Sequence, residues 1–217
     1  MLSTPSFSIC HATARFPGWE ASYSEWFANA DKPNDIEYIV GVHALDFDKI
    51  RDGEGRWRCI SQANRYCSVD NWNVAADAST GRIIILNSDV FFPPKHWDTE
   101  LLKVVPDLEA EFVIHVSTGS PNDDHFMTIQ MMSRTLYARW GYALYPAYES
   151  VYCDNDFTEH ARQDRVVIAA RHLTFEHRHP AFGKAPMDDV YRHENRPQAN
   201  AIGNSLLDWR RKTRFGE

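Results

Sequence analysis

Asp89 follows directly on the most aliphatic run of this 217-residue chain, residues 83–86 (IIIL), with Asn87 and Ser88 between. Four consecutive aliphatic residues read as a buried central strand. In an open α/β sheet, ligands gather at the carboxyl ends of such strands. A carboxylate placed there can hold a divalent cation against an anionic ligand. A second group lies in residues 151–161 (VYCDNDFTEHA), where Asp154 and Asp156 open a predicted helix. They either cap that helix, as acids in a first turn do, or present a carboxylate to a substrate proton. A third group is RHLTFEHRHP, holding His172, His177 and His179 around Glu176. Alternate residues of an extended segment point the same way, so His177 and His179 can face one cation or phosphate.

The elements that must position these groups alternate in type. Residues 7–12 (FSICHA) form a short apolar run that reads as a strand. Residues 19–30 place Trp19, Tyr23, Trp26 and Phe27 at helical spacing before Pro33, and residues 36–42 (IEYIVGV) are a second buried strand. Strand, helix, strand is the signature of a βαβ unit in a parallel sheet. A polar loop with Asp46, Asp48, Asp52, Gly53 and Gly55 follows. Residues 73–79 then read as a helix stopped by Thr80-Gly81, ahead of the 83–86 strand. Beyond Pro93-Pro94 the pattern predicts a helix over 96–104, strands over 112–116 and 126–132, a helix over 134–141, and strands over 166–170 and 173–175. Residues 180–197, rich in Pro, Gly, Asp and His without periodicity, read as a long mobile loop. Residues 198–217 read as a C-terminal helix or tail.

At this length the chain fits one domain, residues 1–217. No apolar run is long enough to span a bilayer and no signal peptide is recognisable at the start, so a soluble, cytoplasmic protein is expected, without membrane partners. Cys10, Cys59, Cys67 and Cys153 are scattered and read as reduced thiols. The net charge is −7, which argues against nucleic-acid affinity spread over the whole surface. The balance is uneven: from Thr158 onward 11 Lys and Arg stand against 8 Asp and Glu, leaving −10 on the rest. Arg210, Arg211, Lys212 and Arg214 are either a solvated helix end or an anion contact.

Residues 71–98 (NWNVAADASTGRIIILNSDVFFPPKHWD) resemble the core of the family two glycosyltransferases, whose N-x-G/A-x-x-x-A-T-G stretch leads into a strand ending in a D-x-D metal motif. Asn73, Ala75, Ser79, Thr80 and Gly81 match the lead-in. Asn87-Ser88-Asp89 occupies the motif, with Asn87 in place of its first acid. The resemblance covers roughly residues 7–180. It implies an α/β fold, a single GT-A (Rossmann-like) domain with a mostly parallel central sheet flanked by helices. It also implies a nucleotide-sugar donor, a UDP-sugar by preference, and a divalent metal, Mn or Mg. Ala12, Thr13 and Arg15 fall where family members close over the nucleotide. His43 stands where they carry an Asp for the base, with Asp46 as a substitute. Asn73, Asn87, Ser88 and Asp89 complete the donor set, and Asp89 with His177 or His179 would hold the metal. An inverting transfer then assigns the general base to Asp154, with Asp156 as the alternative. The H-A-T-x-R start and the D-N-x-F-T segment are similar to small bacteriophage glycosyltransferases. That likeness implies an acceptor in hydroxymethylated pyrimidine DNA, with polysaccharide or a small molecule as the other possibility. Asn87 and His43, standing where carboxylates are expected, also leave open a non-catalytic binding domain of the same fold, and a nucleotidyltransferase or nucleotide-sugar hydrolase would place an Asp beside a diphosphate just as well.

Overall fold

In the computed structural model residues 4–16, 18–50, 55 and 57–216 are described; Asp52 and Gly53 of the polar loop lie outside them. Four strands, β1 (Phe7–Ala12), β2 (Ile36–His43), β3 (Arg58–Gln62) and β4 (Ile83–Ser88), pair in parallel in the order β3-β2-β1-β4. The crossovers are α1 (Trp19–Ala28) and α2 (Ser68–Asp77). A short β5 (Phe91–Phe92) and α3 (Trp97–Val104) follow, then β6 (Val113–Ser117), β7 (Met131–Ser133), α4 (Arg134–Trp140), α5 (Cys153–Gln163) and β8 (Val167–Thr174). β9 (Glu176–His177), α6 (Asp189–Glu194) and α7 (Pro197–Lys212) complete the chain. The seven-stranded sheet runs β3-β2-β1-β4-β7-β6-β8. Only β7 is antiparallel to its neighbours, and β5 and β9 make a separate antiparallel ribbon.

Side-chain parity assigns the two faces of the sheet, because successive residues of a strand point to opposite sides. Phe7, Ile9, Tyr38, Val40, Val42, Ile83 and Ile85 pack with Trp19, Trp26, Trp97 and Leu101 of α1 and α3. Cys10, Ile39, Ile84 and Leu86 pack with Val69, Ala75, Leu136 and Phe157 of α2, α4 and α5. Both faces of β1 and β4 are therefore buried, which is why these strands read as continuous apolar runs. Gly81 serves close approach rather than a special turn. Its N–H donates to Ser8 Oγ (2.7 Å) and Glu37 Oε1 (2.8 Å), and a side chain there would collide with Ser8.

Several expectations need correction. β3 and a 3-10 helix over Ala44–Lys49 occupy the segment read as loop. The expected 126–132 strand shrinks to β7, because residues ahead of it are held otherwise: the Met127 N–H donates to Thr158 Oγ1 of α5 (2.8 Å). The two strands expected at 166–175 are one, β8. The 180–197 loop contains a 3-10 turn and α6, whose start is capped by Asp188 Oδ1 accepting from the Tyr191 N–H (2.9 Å). Six helical residues are too few to show a 3.6-residue period in sequence. No helix of the described residues is long and apolar enough to cross a membrane.

Candidate active site

The carboxyl ends of β1 and β4 lie side by side, with His11 opposite Asn87 and Ala12 opposite Ser88. His11, Asn87 and Tyr38 of β2 share the α1 face and are wholly buried. Asn87 Nδ2 donates to Ser22 Oγ (3.0 Å) and Tyr38 Oη (3.1 Å) and lies 2.9 Å from His11 Nδ1. The motif's first position therefore turns into the core, not outward. A charged carboxylate there would be stranded without water, which an amide avoids. His11 Nε2 meets Asp89 Oδ1 at 2.9 Å, and an ionised carboxylate can only accept, so the ring proton sits on Nε2. His11 Nδ1 is then the acceptor for Tyr38 Oη (2.5 Å). This chain of bonds fixes Asp89 from behind.

Arg15 holds Asp89 from the front. Its NH1 donates to Asp89 Oδ2 (3.1 Å), while Nε and NH2 reach Asp188 Oδ2 (2.7 Å) and Oδ1 (3.3 Å) just ahead of α6. Thr13 Oγ1 accepts from the Arg15 N–H (3.0 Å) and so shapes the turn after β1. The β5–β9 ribbon puts Phe91 opposite His177, bringing that imidazole to the segment just past Asp89, with ring centroids 4.4 Å apart.

These groups surround a cleft of about 360 Å³, the scale of a small-ligand site. Ala12, Thr13, Arg15, Ser88, Asp89, Asp154, His177 and His179 all reach its wall. Asp154 lies in the first turn of α5, just after Tyr152, which takes the left-handed conformation (φ 71°) unusual outside glycine. Burial pushes the Asp154 carboxyl up to about 6, against the Asn155 N–H that it accepts. Burial also pushes His177 down to about 3, helped by neighbouring His179, so its ring is neutral. The cleft wall contains three buried polar atoms without a hydrogen-bond partner: Thr128 Oγ1, His177 Nδ1 and Tyr191 Oη. Native proteins satisfy such groups, so each marks a position for a ligand atom or water.

The remaining sequence candidates stand apart from the cleft. Asp156 pairs with Arg210 of α7 (Nε to Oδ2, 2.8 Å), both side chains 2% exposed. Asn73 joins α2 to the 143–144 turn, accepting from Ala143 N (3.1 Å) and Leu144 N (3.0 Å) and donating to Leu144 O (2.8 Å). Asn87 lies beneath the wall. His43 caps the 3-10 helix through Leu45 N (3.3 Å), and its ring lies 5.1 Å from that of Tyr66. Asp46 accepts from Tyr66 Oη and Lys49 Nζ, each at 2.6 Å. His43 and Asp46 thus reach the cleft only through Tyr66, which lines it. Sequence reading missed Tyr66, Thr128, Asp188, Tyr191 and Glu194, since none sits in a motif. Glu194 also lines the cleft, its carboxyl pushed upward by burial. The basic tail is committed internally as well. Arg210 is buried, and Arg211 pairs with Glu159 (2.6 Å) and Asp208 (3.3 Å).

No family model and no curated protein matches the sequence. Solved structures do. S. aureus TarS 1-349 superposes with a TM-score of 0.63 at 11% identity, covering 97% of this chain and 72% of that one. The Pyrobaculum calidifontis mannosyltransferase PcManGT, solved with GDP-Man and Mn2+, gives 0.61 at 13% identity, covering 97% and 76%. The fold is that of the GT-A glycosyltransferases. It extends further, to 4-diphosphocytidyl-2C-methyl-D-erythritol synthase from Anaerococcus prevotii, with a TM-score of 0.52 at 14% identity and coverage of 93% and 96%. This chain spans 36% of the TarS chain in a longer structure and 59% of another solved with UDP.

Proposed function

We propose that this chain transfers a sugar from a nucleotide-sugar donor to an acceptor hydroxyl with inversion, Asp154 acting as general base. The observation that carries this reading is one cleft holding a fixed carboxylate at a strand tip, Asp89, and a second carboxyl, Asp154, raised to about 6. A base with a pKa just below neutrality is ionised at pH 7 yet basic enough to take a hydroxyl proton in the transition state. Arg15 and the Asp89 end receive the diphosphate, and Tyr66, with His43 and Asp46 behind it, borders the position of the nucleotide base, a uracil in the simplest reading.

A divalent cation fits this wall as a guest of the donor. Each Asp89 oxygen accepts one bond and keeps a lone pair. The neutral His177 ring leaves Nδ1 unpartnered. Among the described residues no three His, Cys, Asp or Glu side chains gather closely enough to hold a metal alone. Asp89 and His177, with His179 as the alternative, would hold the ion, and donor phosphates would supply its other ligands. When bound, the ion offsets the charge of the departing nucleotide diphosphate.

The acceptor in this reading is a carbohydrate or other small hydroxyl compound. The modified-DNA acceptor depended on Arg210, Arg211 and Lys212 meeting phosphates, and the burial of Arg210 with the pairing of Arg211 removes most of that charge. A nucleotidyl-transfer reading has the A. prevotii neighbour in its favour. Incubation with labelled nucleotide sugars, manganese or magnesium, and either glycans or hydroxymethylated DNA separates these outcomes. Sugar label entering glycans is expected. Nucleotide label appearing in product instead would overturn glycosyl transfer.

A further inference from the structure

We propose that Asp188 holds the place of a donor phosphate on Arg15, so that the Asp188 carboxylate and the donor's diphosphate exchange on one guanidinium while Tyr191 offers its hydroxyl to the incoming ligand. The proposal rests on the donor reading above, but it makes a claim that can fail separately.

The two carboxylates on Arg15 are not equivalent. Asp89 is tied to His11, and its side chain is 4% exposed. Asp188 is 38% exposed and stands at the start of a six-residue helix. It takes the Nε and NH2 edge of Arg15, the planar two-donor fork that fits a phosphate as well as a carboxylate. Asp89 and Asp188 against one guanidinium leave a local charge of about −1 when ionised; a cation at Asp89 offsets that acid alone, and the Nε and NH2 edge opens to a diphosphate only when the carboxylate on it departs. Asp188 is the one free to go.

A second observation points the same way. Tyr191, on α6, packs its ring under Arg15 (4.5 Å to the guanidinium carbon) and against His179 (4.6 Å between centroids). Its Oη is buried in the cleft wall without a partner, although the residue is only 7% exposed. A hydroxyl kept dry and unbonded beside a phosphate-shaped fork is satisfied by an anionic ligand at Arg15. The wall facing the diphosphate would then be the one segment the ligand itself rearranges, and Asp188, by competing, would set how tightly the donor is held.

The test is calorimetric titration of the full chain with inorganic pyrophosphate, then with UDP-sugar, in wild type, Asp188→Asn, Tyr191→Phe and Arg15→Met. Asn keeps the cap on α6 while removing the competing charge. Asp188→Asn is expected to bind pyrophosphate roughly three- to tenfold tighter, Arg15→Met to lose that binding, and Tyr191→Phe to weaken UDP-sugar severalfold. Hydrogen exchange in α6 should change on pyrophosphate addition in wild type and much less in Asp188→Asn. Unchanged or weaker pyrophosphate binding by Asp188→Asn, or binding that survives Arg15→Met, overturns the exchange. Tighter binding in Asp188→Asn with no sugar transfer from any donor would leave the exchange standing and remove glycosyl transfer. Transfer with an indifferent Asp188→Asn would do the reverse.

Discussion

Two Arg–Asp contacts, Arg210 with Asp156 and Arg15 with Asp89 and Asp188, differ in what surrounds them. The first is sealed: Arg210 also donates to Phe215 O (2.6 Å) and Tyr142 Oη (3.0 Å), and its guanidinium carbon lies 4.0 Å over Tyr145. Every donor edge has a protein partner, so this contact locks α7 to α5. The second opens on the cleft and shares its guanidinium between a fixed carboxylate and a half-exposed one. Asp154 and Asp156, two residues apart, divide the same way, one at the cleft wall and one in the lock. Whether an ion pair is structural or available to a ligand is therefore decided by enclosure rather than by residue type.

The sharpest way to test this division is to change each acid of α5 alone. Asp154→Asn should lower turnover by about a hundred- to ten-thousandfold while donor binding persists, measured by initial rates and by titration with donor. Equal turnover would take Asp154 out of the mechanism. Asp156→Asn should instead cost about 3–5 kcal/mol of stability by leaving the Arg210 charge buried and uncompensated, read from denaturant midpoints. A variant as stable as wild type would mean that the lock is not one.

A smaller effect follows from the raised Asp154 carboxyl. In the proposed transfer the ionised form is the base, so kcat/KM should rise with pH through about 6 and fall about tenfold per unit below it. For stability the sign is opposite. A folded pKa above the ordinary Asp value of 3.8 means the native state binds the extra proton between 3.8 and about 6, so this group's contribution is lost as pH rises through that window. Asp154→Asn should therefore unfold no earlier than wild type above pH 6, as differential scanning would show. Smallest of all, Arg211→Ala removes exposed pairs and should change stability by under about 1 kcal/mol. Loss of salt-sensitive DNA binding on that change would restore a role for the tail.

Much of this was legible beforehand. Continuous aliphatic runs announced β1, β2 and β4, because strands covered on both faces must be apolar throughout, and Asp89 was found from its place at a strand tip. The rest depended on what sequence does not carry. Nothing in the spacing of Asp154 and Asp156 tells which meets Arg210, since that partner lies 54 residues further on. Asn87 occupied its motif position, yet the inward turn of its amide was set by His11, Ser22 and Tyr38 from two other strands and a helix. Tyr191 and Glu194 lie on a helix too short to show periodicity, and they matter only because that helix closes against Arg15.

The lock between α5 and α7 also imposes an order on events during synthesis. Asp156 and the ring of His160 belong to the helix that carries Asp154; Tyr148 and Trp140 can meet them early, but the Arg210 fork and the Phe215 ring, 5.3 Å from His160, reach them only once residues 210–215 have left the ribosome. The β3-β2-β1-β4 half of the sheet, built from residues 7–88, can form long before. A nascent chain would thus pass through a stage with the β4 tip that carries Asp89 already in its sheet and the helix that carries Asp154 not yet clamped by α7.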